Sequence, residues 1–253
     1  MNLYPLPNGA DNGDGTATYT GYGNQPTNEN YVLARLDHHF STRDSAFVRY
    51  NFDDSTATVP FANTQVPGFP EGLSRRNQFA TIQYQHIFNP HVINTASVSF
   101  TRIQYASMAE ASSGISISLI PGTQELGTIS ITGLSGLGYS TASNIGATSN
   151  IFDYADSLSW EKGKNMFKFG AEIKRYQIDS FFDGQMLGGY TVGSLSNFLH
   201  GKSLNYTGVT PGSTSQRAWR QWVTAFYAQD DIRVTNNLIL NAGLRYEFDT
   251  VPS

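Results

Sequence analysis

Hydrophobic and polar residues alternate most regularly close to the C-terminus. The apolar positions are Leu238, Leu240, Ala242, Leu244, Tyr246 and Phe248, and the positions between them are Ile239, Asn241, Gly243, Arg245 and Glu247. Successive side chains of a strand point to opposite faces, so this pattern predicts a β-strand with one apolar and one mostly polar face. Residues 222–231 precede it, and residues 234–237 between them are mostly turn formers, so the region predicts a β-hairpin.

The same alternation predicts three further hairpins upstream. With the C-terminal one, the predicted hairpins occupy residues 31–54, 76–105, 151–178 and 218–249. In the first hairpin, Val32, Ala34, Leu36 and Phe40 share a face that His38 interrupts, and Arg35, Asp37 and His39 lie on the other face. Short turns such as Asn89-Pro90-His91 join the two arms of each hairpin.

The segments between the hairpins are much longer than the turns within them. Residues 55–75, 106–150 and 179–217 are predicted long loops, and residues 1–30 are a loop of turn formers without periodicity. Gly/Ser/Thr/Ile runs within residues 106–150 are compatible with short local strands, and residues 195–199 with a short helix. Short turns at one end of a sheet and long loops at the other are typical of membrane barrels.

This asymmetry predicts an all-β fold. We expect an antiparallel, up-and-down transmembrane β-barrel segment with about eight spanning strands, short periplasmic turns and long extracellular loops. Aromatic residues near the ends of the arms, such as Tyr31, Trp160 and Trp222, agree with the aromatic belts at the two membrane interfaces. The alternative is a soluble β-sandwich, in which these would be ordinary aromatic residues.

Composition narrows the functional classes. Charged residues make up only 14% of the chain and the net charge is −4, so nothing indicates a nucleic-acid partner. Cysteine is absent, which excludes a disulfide framework and a thiolate metal site. No apolar run reaches the roughly 18 residues of a membrane-spanning helix. The residues after Met1 lack the basic and apolar regions of a signal peptide, so we expect a piece of a longer exported chain.

Several segments resemble the barrel of TonB-dependent outer-membrane receptors, particularly the Oar-like ones. They are YVLARLDHHFSTRDSAFVRYNF at 31–52, SWEKGKNMFKFGAEIKRYQ at 159–177, SNFLHG at 196–201, and the closing hairpin with GLRYE at 243–247. The resemblance implies a barrel of about 22 strands, filled by an N-terminal plug domain and energised through a TonB box.

Neither the plug domain nor the TonB box is recognisable in residues 1–253, so the chain is similar to a part of the barrel without its plug. The resemblance places it in the bacterial outer membrane, in contact with the membrane lipid. It also implies two protein partners, the receptor's own plug domain and the TonB complex, reached through parts of the receptor outside this sequence.

No catalytic constellation or cofactor site is evident, and the five histidines show no zinc-ligand arrangement, so we expect neither an enzyme nor a metal site. The candidate site is instead the set of polar residues predicted to face the barrel lumen. They are Arg35, Asp37, His39, Arg49, Asp53, Gln83, Gln85, Lys168, Glu172, Lys174, Arg245 and Glu247. They would meet water, the plug or a passing solute, or else pair with one another.

Three functional hypotheses remain open at this point. The first is the barrel of a receptor for TonB-energised uptake of a bulky extracellular solute, such as an iron chelate, a glycan or a peptide. The second is a passive or adhesive outer-membrane barrel that serves as an anchor. The third is a soluble carbohydrate-binding β-sandwich.

Overall fold

The computed structural model describes residues 3–61, 66–110, 117–210 and 212–253, and most of these residues are in strands. The strands are β1 (Thr27–His39), β2 (Asp44–Val59), β3 (Glu71–Asn89), β4 (Val92–Ala109), β5 (Thr128–Ile131), β6 (Ile145–Lys162), β7 (Asn165–Phe182), β8 (Gly189–Val192), β9 (Asn205–Thr207), β10 (Arg217–Thr235) and β11 (Leu238–Asp249). A short helix, α1 (Leu195–Leu199), lies where the sequence suggested one. Within the described ranges, no helix is long and apolar enough to cross a membrane.

Eight long strands form one antiparallel sheet in the order β1-β2-β3-β4-β6-β7-β10-β11. They contain 12 to 19 residues, and each one pairs with the next long strand along the chain, so the sheet is an up-and-down meander. The prediction of an antiparallel all-β fold with eight long strands is confirmed. Within the described residues, β1 and β11 are the two edges of this sheet.

All four tight turns lie at one end of the sheet, which we call the turn end. They occupy residues 40–43, 90–91, 163–164 and 236–237. Gly163 opens its turn with a φ of 65°, in the left-handed region that favours glycine. Because neighbouring strands run in opposite directions, the long connections 60–70, 110–144 and 183–216 lie at the other end, the loop end.

The strands extend farther toward the loop end than the alternation pattern predicts. For example, β4 continues to Ala109, β7 continues to Phe182, and β6 begins at Ile145. These extensions contain small and polar residues that alternate poorly. The backbone pairing continues nonetheless, because ladder hydrogen bonds do not depend on the side chains, and Ser107 still pairs with Ile145.

One face of the sheet, the apolar face, carries apolar side chains in register. One row across it consists of Leu36, Val48, Ile82, Val98, Tyr154, Ile173, Thr224 and Phe248. These side chains are not covered by protein: Leu36 is 71% exposed and Ile82 is 55% exposed. A β-sandwich would bury this face under a second sheet. The sandwich alternative is therefore wrong for the described part of the chain.

The band of apolar side chains runs obliquely across the sheet. On β2 the row just described passes through Val48, with Ala46 and Tyr50 as apolar neighbours on either side. On β11 the same row meets Phe248, and the apolar positions continue from there only toward the turn end, as far as Leu238. Such a drift is what strands tilted against a membrane layer produce.

The long connections fold into a compact cap at the loop end, formed by residues 66–70, 117–144 and 183–210. In it β5 pairs with β8 in parallel, and β8 pairs with β9 in antiparallel fashion. The buried apolar cluster of the cap consists of Val66, Phe69, Leu126, Ile129, Ile131, Leu137, Tyr139, Leu187 and Val192. The main hydrophobic core of the described residues therefore lies in the cap and not against the large sheet.

A close backbone approach at a glycine and a tyrosine hydrogen bond stabilise the cap. Gly138 has a φ of 83°, and a Cβ atom there would come 1.9 Å from the carbonyl oxygen of Gly127. The buried Tyr139 hydroxyl donates a hydrogen bond to the carbonyl oxygen of Glu110, beside β4. Burial, reinforced by the Glu125 carboxylate, raises the pKa of Tyr139 to about 12.

Candidate functional site

The face opposite the apolar one, the polar face, carries the whole candidate set. The register places Arg35 opposite Arg49 on this face, and Glu172 in the same row as Glu247. The twelve residues on the polar face are Arg35, Asp37, His39, Arg49, Asp53, Gln83, Gln85, Lys168, Glu172, Lys174, Arg245 and Glu247. They form two groups, one on β1 to β3 and one on β7 and β11, with β4 and β6 between them.

Glu172 is the centre of the group on β7 and β11. Its Oε1 lies 2.7 Å from the Nζ of Lys174, and its Oε2 lies 3.4 Å from an Nη atom of Arg245. Lys174 also approaches Asp153 on β6 at 3.8 Å, and Arg245 approaches Glu247 at 3.1 Å. A chain of ion pairs therefore crosses β6, β7, β10 and β11 on one surface.

Small residues beneath this network make the long-range contact possible. Ala225 on β10 stands between Glu172 and Glu247 in the register and is only 2% exposed, so Arg245 can reach Glu172 across β10. Nearby, the ring of Tyr227 lies over Gly170, where an added Cβ would come 2.1 Å from the ring. A larger side chain at Ala225 would separate the two charges.

Two further acidic residues form ion pairs with candidate lysines on this surface, although they were not among the predicted candidates. Asp153 joins the network through Lys174, and Asp231 lies 3.3 Å from the Nζ of Lys168 and accepts a hydrogen bond from Gln229 at 2.8 Å. Their sequence signal is the same alternation by which the other candidates are assigned to a face.

The group on β1 to β3 is held mostly by local contacts. Arg35 donates two hydrogen bonds of 2.7 Å to Asp37, and its guanidinium lies 4.0 Å from the ring centroid of Phe47. Nearby, Asp53 accepts a 3.2 Å hydrogen bond from the side-chain amide of Asn77. His39 and Gln83 lie on the same surface.

The polar and charged side chains of the polar face are suited to binding polar molecules. Asp53 and Asp153 each have one buried carboxylate oxygen that accepts no hydrogen bond from the described residues. Charges of both signs stand close together, which favours contacts with solutes that carry several polar groups. In the described ranges, no group of three or more His, Asp or Glu side chains is arranged to hold a metal ion.

The Glu172→Gln variant is expected to destabilise the protein by about 1 kcal/mol, because Lys174 and Arg245 both lose a charged partner. The measurement is the urea midpoint of the protein in detergent or lipid at low and high salt. The destabilisation should shrink at high salt, because salt screens partly exposed charges.

Glu247→Gln provides the matched control, since Glu247 is 50% exposed and, among the described residues, forms an ion pair with Arg245 alone. Its expected effect is no more than about half of that at Glu172. Equal effects of the two variants would show that Glu172 is not the centre of the network.

Comparison with known proteins assigns the chain to a family. The chain matches the family described as outer membrane beta barrel domain over residues 1–253, and it belongs to that family. It is therefore a domain of the bacterial outer membrane, which confirms the predicted location. Among curated proteins, none matches the sequence.

Two solved structures are similar in fold. The outer membrane transporter YddB from Escherichia coli superposes with a TM-score of 0.59 at 12% identity, over 92% of this chain and 29% of that one. The ferric-catecholate import receptor Fiu from E. coli gives a TM-score of 0.54 at 14% identity, over 88% of this chain and 34% of that one. The chain thus spans about a third of the length of each. The predicted resemblance to TonB-dependent outer-membrane receptors is confirmed for the fold.

Proposed function

We propose that this chain forms part of the barrel wall of an Oar-like receptor for TonB-energised uptake of a bulky solute. The observation that carries the proposal is the contrast between the two faces of the sheet. An uncovered apolar face meets lipid, and the opposite face, with its network around Glu172, meets the aqueous lumen. The neighbouring folds of an outer membrane transporter and an import receptor support it.

The proposal also assigns one end of the sheet to the periplasm and the other to the cell exterior. The tight turns face the periplasm and the cap stands on the extracellular side, because outer-membrane barrels have short inner turns and long outer loops. The complete barrel has about 22 strands, and other parts of the receptor supply its plug domain and its contact with the TonB complex. The twelve candidate residues then line the lumen, where they contact water, the plug or the solute.

Cysteine accessibility tests which face meets water. Residues 1–253 contain no cysteine, so each single substitution supplies the one thiol in this segment, and the unsubstituted receptor gives the background. Thr81 and Ile82 are adjacent on β3 and lie on the polar and the apolar face respectively. In the complete receptor in cells, Thr81→Cys should react with a charged, water-soluble maleimide, whereas Ile82→Cys should react only with an uncharged, lipid-soluble one. Equal reaction of both variants with the charged reagent would contradict the assignment.

Uptake by cells that carry the complete receptor tests the transport function. Three radiolabelled probes represent the solute classes: a ferric catecholate, a branched oligosaccharide and an oligopeptide. At least one should accumulate in these cells but not in cells lacking the gene, and a protonophore should abolish the accumulation. If no probe accumulates, the passive anchor is favoured. Accumulation that survives the protonophore would mean a passive pore.

A further inference from the structure

Four arginines of the large sheet lie on the apolar face, and all four are at the loop end of its apolar band. They are Arg76 on β3, Arg102 on β4, Arg175 on β7 and Arg220 on β10. We call them the arginine belt. Arg102 and Arg220 share one row, Arg76 lies one row farther from the band, and Arg175 lies one row nearer to it.

Carboxylates of the protein compensate only half of this charge. Arg76 forms an ion pair with Asp54 at 2.8 Å, and Arg220 forms one with Asp179 at 2.7 Å. Among the described residues, neither Arg102 nor Arg175 has a carboxylate within ion-pair distance. Arg175 instead lies 4.9 Å from the ring centroid of Trp222. The belt therefore carries uncompensated positive charge beside the apolar band, in a row that also holds the neutral polar residues Gln78, Asn150 and Gln177.

The opposite boundary of the apolar face has a different charge pattern. Asp44 and Asp230 lie there, and Asp156 lies near it, where its carboxylate accepts hydrogen bonds of 2.9 and 3.0 Å from the side chain of Asn94. At this end the large sheet places no arginine on the apolar face, although Lys162 lies there with its ammonium 5.1 Å from the ring centroid of Trp160. The accumulation of arginine thus marks one boundary of the apolar band and not both.

Guanidinium groups bind phosphate oxygens with paired hydrogen bonds, and long basic side chains reach from an apolar surface to the headgroup layer. We propose that the arginine belt binds phosphate-bearing lipid headgroups of the outer leaflet. This inference rests on the proposed function, which assigns the apolar face to lipid and the polar face to water. It adds that the protein prefers lipids with phosphate-bearing headgroups at the loop end of the apolar band.

The test uses the tryptophan fluorescence of the complete receptor in vesicles of brominated phosphatidylcholine. Trp222 lies on the apolar face beside Arg175, so lipid contact at the belt quenches its emission, whereas Trp160 lies at the turn end of that face and Trp219 lies on the polar face. Unbrominated diphosphoryl lipid A is then added to displace the quencher, with dephosphorylated lipid A as the reference. The belt variant is Arg102→Gln with Arg175→Gln, which leaves both belt ion pairs in place. The control is Arg75→Gln with Arg217→Gln, the same charge change on the polar face.

The unmodified receptor should prefer diphosphoryl over dephosphorylated lipid A. The belt variant should lose about 25-fold of this preference, because each of its two replaced arginines contributes roughly a fivefold factor near an anionic lipid surface. The control should keep it. Equal displacement by both lipids, equal loss in both variants, or abolition of the preference by inorganic phosphate at physiological concentration would overturn the inference. Absence of any quenching would instead contradict the lipid-facing assignment, and with it the proposed function.

Discussion

Replacement of Val98 by arginine is expected to destabilise the membrane-inserted protein by about 2–4 kcal/mol, the cost of a basic side chain near the middle of a bilayer. Val98 lies on the apolar face between Ile82 and Tyr154 and is 49% exposed. Under the proposed function, its surroundings in the folded protein are lipid and apolar side chains. The measurement is reversible urea unfolding in vesicles, accompanied by the amount of protein recovered from the outer membrane.

Ser99→Arg is the control, since it places the same side chain one position along β4 on the polar face. Ser99 lies opposite Asp153, whose carboxylate can accept a hydrogen bond from the new guanidinium. The expected change in unfolding free energy is within about 0.5 kcal/mol. Equal destabilisation of the two variants would show that the two faces do not differ in their contact with lipid and water.

The second large effect is expected in the cap. Leu137 is 0% exposed, and replacing it by alanine should destabilise the cap by about 2–5 kcal/mol through lost burial and the cavity left behind. The cap contacts the large sheet only at its loop end, so it should open locally while the sheet stays folded. Amide hydrogen exchange should accelerate at Ile129, which exchanges two backbone hydrogen bonds with Leu137, and remain slow at the centre of β4.

Leu199→Ala is the matched substitution in the same cap, at a leucine that is 71% exposed. It should leave the exchange of Ile129 within twofold of the unmodified protein, about 0.4 kcal/mol. Faster exchange throughout the large sheet in Leu137→Ala would show instead that cap and sheet unfold as one unit.

The two faces of the sheet could be predicted because a period of two is a local property of the sequence. Alternation alone assigns Arg35, Lys174 and Glu247 to one side, and any antiparallel pairing that aligns apolar rows keeps them there. Asp153 and Asp231 carry the same signal, but neighbouring residues of mixed character make it weaker. The pairing of β6 and β10 with β7 confirms their face.

The contacts within the polar face could not be predicted in the same way. The approach of Arg245 to Glu172 spans a strand, and it depends on the small size of Ala225 between them. The cap is a further example, because its parallel pairing of β5 with β8 joins segments about sixty residues apart. Glycine-rich sequence indicates a loop but does not determine which buried side chains pack together.

The strands of the large sheet are longer than the apolar band requires. β3, with 19 residues, is about 60 Å long, and at a tilt of about 40° it rises about 45 Å. An apolar band of about 25 Å accounts for little more than half of that height. The apolar positions of β3 begin near Ala80, so the excess, residues 71–78, projects on the side of the cap. In the proposed receptor, the wall therefore extends beyond the lipid on the side of the cap, and its inner side lines a vestibule outside the membrane.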